Sequence, residues 1–278
     1  MPALSSAPSL LPLYARAAVT APLHRGDALP ESEYTLADQV IDPAHLAEYQ
    51  RVCGFGVSDV LPPTYLHVLA FPLSVALMTE RGFPFPLVGM VHVENSITLA
   101  RPVRSEETVS FTVRAADLRP HPAGRVFDLL ARATVDGETV WTGRSTYLRR
   151  GKSAEPKAAR TELGPQQGSL ALVRVPGDIG RRYGAVSGDR NPIHLYALTA
   201  KAFGFNSAIA HGMWLKARTL ATLEGRLPDA YTVDVAFKLP VPLPSTVSIA
   251  AVGAGEDWTL DVRAARSGKP HLAGSISR

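Results

Sequence analysis

The stretch best equipped to do chemistry is Gly188-Asp189-Arg-Asn191-Pro192-Ile-His194, followed by Ala210-His211-Gly212-Met213. Carboxylates and imidazoles readily exchange protons near neutral pH, and here one of each stands five residues apart. Proline fixes its own φ and keeps the preceding residue out of the α region, so Asn191-Pro192 interrupts any continuous helix between them. A pre-set turn of this kind can aim Asp189 and His194 at one water, taking a proton from it and returning one to carbon. The same residues also read as plain turn chemistry, with Asp and Asn capping a following helix and His194 an ordinary helical residue. The second motif tips the balance towards catalysis. A glycine at the head of an apolar helix leaves backbone N–H groups unobstructed. Those groups and the helix dipole suit the charge that develops when a carbonyl oxygen becomes enolate-like. A simple loop-to-helix junction is the other reading of His211-Gly212.

The elements that must position these groups occur twice along the chain. Residues 151–169 are polar, contain Pro and Gly and lack an apolar period, which marks a linker between residues 1–150 and 170–278. Tyr49-Gln-Arg-Val52-Cys-Gly54 resembles Tyr183-Gly-Ala-Val186-Ser-Gly188. Leu99-Ala-Arg-Pro102-Val103 resembles Leu239-Pro-Val-Pro242-Leu243, in the same order and at nearly the same offset. Each half then reads as an apolar helix followed by strands. The helices are expected over Pro62 to about Arg81 and over His211 to about Leu223. Extended segments are expected at Val91–Leu99, Thr108–Ala116, Arg125–Val135 and Thr139–Leu148, then at Thr232–Phe237, Ser245–Val252, Trp258–Ala264 and His271–Ile276. Strands that bury one face, plus one apolar helix, imply an α+β architecture in which a curved antiparallel sheet wraps around the helix, twice over. Pro240, Pro242 and Pro244 belong at a bend or an exposed edge.

Composition narrows the function classes. The 278 residues are 46% hydrophobic and 19% charged, which fits a packed globular core. No apolar run reaches the roughly 20 residues of a membrane helix, so no membrane span is expected. The N-terminal stretch lacks a basic leading region and carries prolines at 2, 8 and 12, which argues against an export signal. Cys53 stands alone, so neither an internal disulfide nor a cysteine-rich metal site can form, and a reducing cytoplasm fits. The net charge of +4 is scattered and lacks interleaved aromatics, so a nucleic-acid partner is not expected.

Residues 187 to 213 are similar to the MaoC-like family of (R)-specific enoyl hydratases and 3-hydroxyacyl dehydratases. The matching positions are Ser187, Gly188, Asp189, Asn191, Pro192, Ile193, His194, Ala202, Gly204, Phe205, Ile209, His211, Gly212 and Met213. The two-part layout resembles the double hot-dog members of that family, in which a degenerate N-terminal hot dog packs against a catalytic one. The resemblance implies that Asp189 and His194 hold and activate water for syn addition across C2–C3. It further implies that the Gly212 N–H binds the thioester carbonyl, that Asn191 braces the loop with Ser187 and Pro192 beside it, and that no metal or other cofactor is needed. His211, Met213 and Trp214 are candidate substrate contacts. The partner would be an acyl-CoA or acyl carrier protein thioester, and the assembly a monomer or a homodimer.

The first half carries Gly54-Phe-Gly-Val-Ser-Asp59 where the second has its signature, with no His at the right distance, and is expected to be catalytically inert. Its apolar helix either lines an acyl pocket or only completes the fold. Arg182, Lys201, Lys216 and Arg218 are candidate phosphate or carrier contacts, or else solvated cations. Two rival functions remain: a hot-dog thioesterase, and an acyl-binding hot-dog subunit without chemistry.

Overall fold

The computed structural model describes residues 3–4, 6–10, 12–14, 27–156, 164–255 and 257–278. Residues 157–163 of the expected linker lie outside the described residues, as do 15–21 of the stretch read for an export signal.

The strands are β1 (Ala3–Leu4), β2 (Glu33–Gln39), β3 (Met90–Leu99), β4 (Val109–His121), β5 (Gly124–Val135) and β6 (Glu138–Arg150) in the first half. In the second they are β7 (Ser169–Val175), β8 (Tyr231–Phe237), β9 (Ser245–Ala254), β10 (Asp257–Ala264) and β11 (Pro270–Ser277). Among the described residues they form one sheet of 11 strands in the order β1-β2-β4-β5-β6-β3-β8-β11-β10-β9-β7. The halves meet where β3 and β8 pair antiparallel, Asn95 opposite Val235 and Ile97 opposite Val233. The similar residue runs Val93–Ser96 and Val233–Ala236 are therefore strand partners across this seam.

The helices are α1 (Pro43–Cys53), α2 (Pro63–Met78), α3 (Ile179–Ser187), α4 (Pro192–Leu195), α5 (Ala197–Ala202) and α6 (Gly212–Ala221). α2 and α6 are the two apolar helices expected; α2 packs against the strands of its half, and α6 meets the sheet through Lys216, bonded to the Asn95 and Val233 carbonyls, and through Gly212, set against Phe237. α2 buries residues on all sides, including Tyr65, Leu66, Phe71, Leu73 and Leu77, and runs on through Pro72. The repeated Tyr-to-Gly segments are the last turns of α1 and α3. Each helix is closed by a left-handed glycine, Gly54 at φ 83° and Gly188 at φ 71°, a conformation that costs other residues more.

Hydrogen bonds between side chains and backbone tie the two halves together directly. Trp214 Nε1 donates to the Val52 carbonyl at 3.0 Å, and the Gly56 N–H donates to Glu224 Oε2 at 2.8 Å. The His45 ring reaches Tyr65 Oη at 2.8 Å and the Val186 carbonyl at 2.9 Å. The three prolines after β8 lie outside the strands, as expected. Around them the Ala210 N–H donates to the Val241 carbonyl and the Leu243 N–H to the Ala208 carbonyl, both at 2.9 Å. This short ladder anchors the loop that leads into α6. Among the described residues no helix is long and apolar enough to cross a membrane.

Candidate active site

The candidate catalytic turn begins where α3 ends. Gly188 turns the chain, and the Asp189 N–H donates to Ser187 Oγ at 3.2 Å. Asp189 Oδ1 accepts from the Asn191 N–H at 3.1 Å, and Asn191 Oδ1 accepts from the Ile193 N–H at 3.4 Å, with Pro192 opening α4. The turn-and-cap reading of these residues is therefore realised locally, and it is what delivers the other reading. One turn of α4 carries His194 back towards Asp189. Reactive atoms of Asp189, His194 and His211 all lie within 4.8 Å of one another. A water bonded to two groups at about 2.8 Å each spans on the order of 4.6 Å between them, so one water fits this gap.

Hydrogen bonds settle which ring nitrogens carry protons. His194 Nδ1 lies 2.8 Å from the Ile209 carbonyl. A carbonyl only accepts, so Nδ1 holds the hydrogen and Nε2 keeps its lone pair. Burial lowers the pKa of His194; the Asp189 charge and the bond to Ile209 act the other way without reversing it. His211 Nε2 donates to the Asp189 main-chain carbonyl at 3.0 Å, and its ring stacks on His194 with centroids 3.7 Å apart. Burial first, then its histidine neighbour, brings the His211 pKa down to about 3. Two neutral, stacked imidazoles thus flank one carboxylate. The same trio has the donor types to hold a cation, although one nitrogen of each ring is already given to a carbonyl.

Backbone packing makes this approach possible. A Cβ on Gly180 would overlap the His194 carbonyl oxygen and lie 2.9 Å from its carbon, and one on Gly184 would lie 2.9 Å from the Asp189 carbonyl oxygen. The two glycines, four apart on α3, form a bare face against which the catalytic turn rests. Gly212 opens α6, where no side chain caps the helix N-terminus. A Cβ there would press on the Phe237 ring at 3.1 Å, so glycine keeps both the N–H exposed and the ring in place.

Two hollows meet at Asp189. The larger, about 310 Å³, is lined by His194, His211, Gly212, Met213, Phe205 and Phe237, and exposed Arg150 and Lys238 stand among its lining residues. The smaller, about 50 Å³, is walled by Phe71, Met78, Leu87, Met90, Tyr147 and Tyr14. Met90, Tyr147, Asp189 and Asn191 belong to both. Helix α2 thus contributes Phe71 and Met78 to a pocket at the reactive carboxylate as well as completing the fold.

Five candidates fall elsewhere. Trp214 is only 2% exposed and gives its N–H to Val52, so the indole joins the two halves and does not line either hollow. Lys216 is fully buried, bonded to the Asn95 side chain at 2.6 Å and to the Asn95 and Val233 carbonyls at 3.1 and 3.0 Å. It faces the seam, because the helical period turns it away from the surface. Arg218 donates to the Gly54 carbonyl at 3.1 Å. Arg182 and Lys201 are exposed but line neither hollow. Tyr14, Tyr147, Lys238 and the Gly180/Gly184 face went unread in the sequence. Only the glycine pair had a signal, its spacing of four just ahead of the motif.

The fold is that of a double hot-dog protein, and among the described residues Asp189, His194 and His211 gather at one candidate site. Residues 166–272 match the MaoC like domain, and residues 32–142 match the FAS1-like dehydratase domain region. The chain is 38% identical to 3-hydroxyacyl-thioester dehydratase X of Mycobacterium tuberculosis, over 91% of each protein. It belongs to the MaoC-like dehydratase family. The crystal structure of HtdX from M. tuberculosis superposes with a TM-score of 0.79 at 36% identity, over 88% of this chain and 99% of that one. A MaoC-like dehydratase from Phytophthora capsici shares the fold at 18% identity, with a TM-score of 0.71 over 89% of this chain and 94% of that one.

Proposed function

We propose that this chain is a hydro-lyase that interconverts 2-enoyl and (3R)-3-hydroxyacyl thioesters, with Asp189 and His194 as the catalytic pair. The observation that carries the mechanism is the Nδ1–H of His194 committed to Ile209, which leaves Nε2 as the free lone pair of a neutral ring lining the same hollow as the Asp189 carboxylate. Water held between them attacks C3 of the enoyl group as Nε2 takes its proton. The electron pair of the C2–C3 double bond moves through C2 to the thioester oxygen, where the Gly212 N–H and the head of α6 stabilise the enolate. A proton returns to C2 from the same side, so that H and OH add syn. Dehydration is the reverse. Ser187, Asn191 and Pro192 shape the turn, His211 fixes the Asp189 main chain and the His194 ring, and Met213 borders the substrate.

The larger hollow suits a pantetheine arm, since Arg150 and Lys238 provide cations for the phosphate of coenzyme A or of a carrier protein's prosthetic group. Catalysis resides in residues 170–278, joined through 151–169 to the degenerate 1–150, which supplies α2 to the acyl pocket. The single, buried thiol of Cys53 suits a cytoplasmic protein.

Incubation with crotonyl-CoA, followed by mass and chiral analysis, tests this reading. The expected product is (3R)-hydroxybutyryl-CoA with its thioester intact. Free CoA as the main product would overturn it in favour of a thioesterase.

A further inference from the structure

The N-terminal segment has no part in the chemistry above, yet it is built into the site. Its strand β1 pairs parallel with β2, Leu4 beside Leu36. Ala7 and Leu10 then follow a groove bordered by Ile41, Val68, Val186 and Gly188. Leu10 seats so closely on Gly188 that a Cβ there would overlap it. The chain arrives at Tyr14, whose hydroxyl lies 3.4 Å from Asp189 Oδ1. Burial, and secondarily the nearby carboxylate, raises the Tyr14 pKa far above that of an ordinary phenol, so the group is protonated and donates.

The placement of this ring bears on substrate choice. A thioester whose arm fills the large hollow, with its carbonyl at Gly212 and its C3 near Asp189, must send its acyl tail onwards past Asp189. The space there is the small hollow of about 50 Å³, room for on the order of one or two water-sized groups. The Tyr14 ring is part of the wall that closes it; Phe71, Met78, Leu87, Val88 and Pro192 give it apolar sides, and Asp189, Asn191 and Tyr147 are residues it shares with the larger hollow. Beyond Tyr14 and those shared residues the lining is apolar, so a tail that enters is selected by its length.

We infer that the Tyr14 ring, set beside Asp189 by the packing of the N-terminal segment on Gly188, is a specificity-determining group that ends the acyl pocket and restricts this protein to short acyl chains. This rests on the acyl-thioester reading of the site. It makes the N-terminal segment part of the substrate pocket of a fold whose catalytic groups all lie in the other half of the chain.

The test compares the wild type with Tyr14→Ala and Tyr14→Phe. Affinities for butyryl-, octanoyl- and dodecanoyl-CoA are measured by calorimetry, and hydration rates with the matching 2-enoyl-CoAs. The wild type and Tyr14→Phe, which keeps the ring, are expected to favour the shortest chain. In Tyr14→Ala the octanoyl-to-butyryl affinity ratio should rise about tenfold or more, since each methylene that gains an apolar pocket contributes roughly fourfold. An unchanged ratio in Tyr14→Ala, or a wild type that already prefers the dodecanoyl chain, would overturn the inference. So would failure of all three thioesters to bind the wild type. A shifted affinity ratio without hydration by any of the proteins would uphold the pocket boundary while refuting the hydro-lyase assignment.

Discussion

Gly180→Ala probes how the fold holds the proposed catalytic histidine, because the atoms nearest the added methyl are the backbone carbonyl of His194 and not its ring. The new Cβ would overlap the His194 carbonyl oxygen and sit 2.9 Å from the carbonyl carbon. Carbon atoms rest at about 3.5–4.0 Å, so the peptide must retreat by about 1 Å. Overpacking of this kind costs about 1–3 kcal/mol. The greater helix propensity of Ala offsets up to about 1 kcal/mol of that, so the fold should survive. Activity is more exposed. A misplacement of about 1 Å at a reacting group costs on the order of a hundredfold, or about 2.7 kcal/mol of barrier. The expected result is a loss of kcat of about two orders of magnitude with only a modest fall in the urea midpoint. Gly177→Ala is the control, since its nearest neighbour is Pro244 at 3.8 Å. Crotonyl-CoA turnover at saturating substrate and equilibrium unfolding would be read side by side. Gly180→Ala with wild-type kcat, or with equal losses of kcat and stability, would refute the claim that this bare face sets the His194 position.

Two further predictions concern pH. Because burial lowers the His194 pKa from 6.5, the acid limb of kcat/KM should lie below pH 6.5, and a limb at or above that value would show an imidazolium in the resting site. Stability should fall in the same direction: His67 is brought down to about 4 and His211 to about 3, each first by burial. Both groups take up protons in the unfolded chain below about pH 6.5 while the native state refuses them. The contribution present above pH 6.5 is therefore lost as pH falls towards the folded values, about 2 kcal/mol for each by pH 5. Urea unfolding should show a loss of about 4 kcal/mol from these two rings between pH 7 and pH 5, with His92, His194 and His271, whose pKa values burial also lowers, adding to it in the same direction, and a flat profile would contradict the burial of these rings.

Much of this architecture is legible in the sequence because its strongest signals are local. Asn191-Pro192 restricts the backbone on the spot, and the apolar run from Tyr65 to Met78 can only be buried. The elements that escaped reading lack a clean period. Strand β2 fully buries only Leu36, and its register shifts after that residue, with Asp38 at φ 51°. Strand β7 lies at the sheet edge and exposes Leu172, which hides its alternation. Trp214, Lys216 and Arg218 show the reverse limit: composition identifies cations and aromatics, but only the docking of one half on the other decides that they face a seam. Tyr14 is joined to Asp189 across 175 positions of chain, a contact that no pattern in either segment announces.

The most direct test of the Asp–His centre is loss of the enoyl-thioester absorbance of crotonyl-CoA, measured for the wild type, Asp189→Asn and His194→Ala. The account predicts turnover by the wild type and a fall of at least about a thousandfold in each variant, with the double variant little worse because the two groups act on one water. Near-wild-type turnover in either single variant would contradict it.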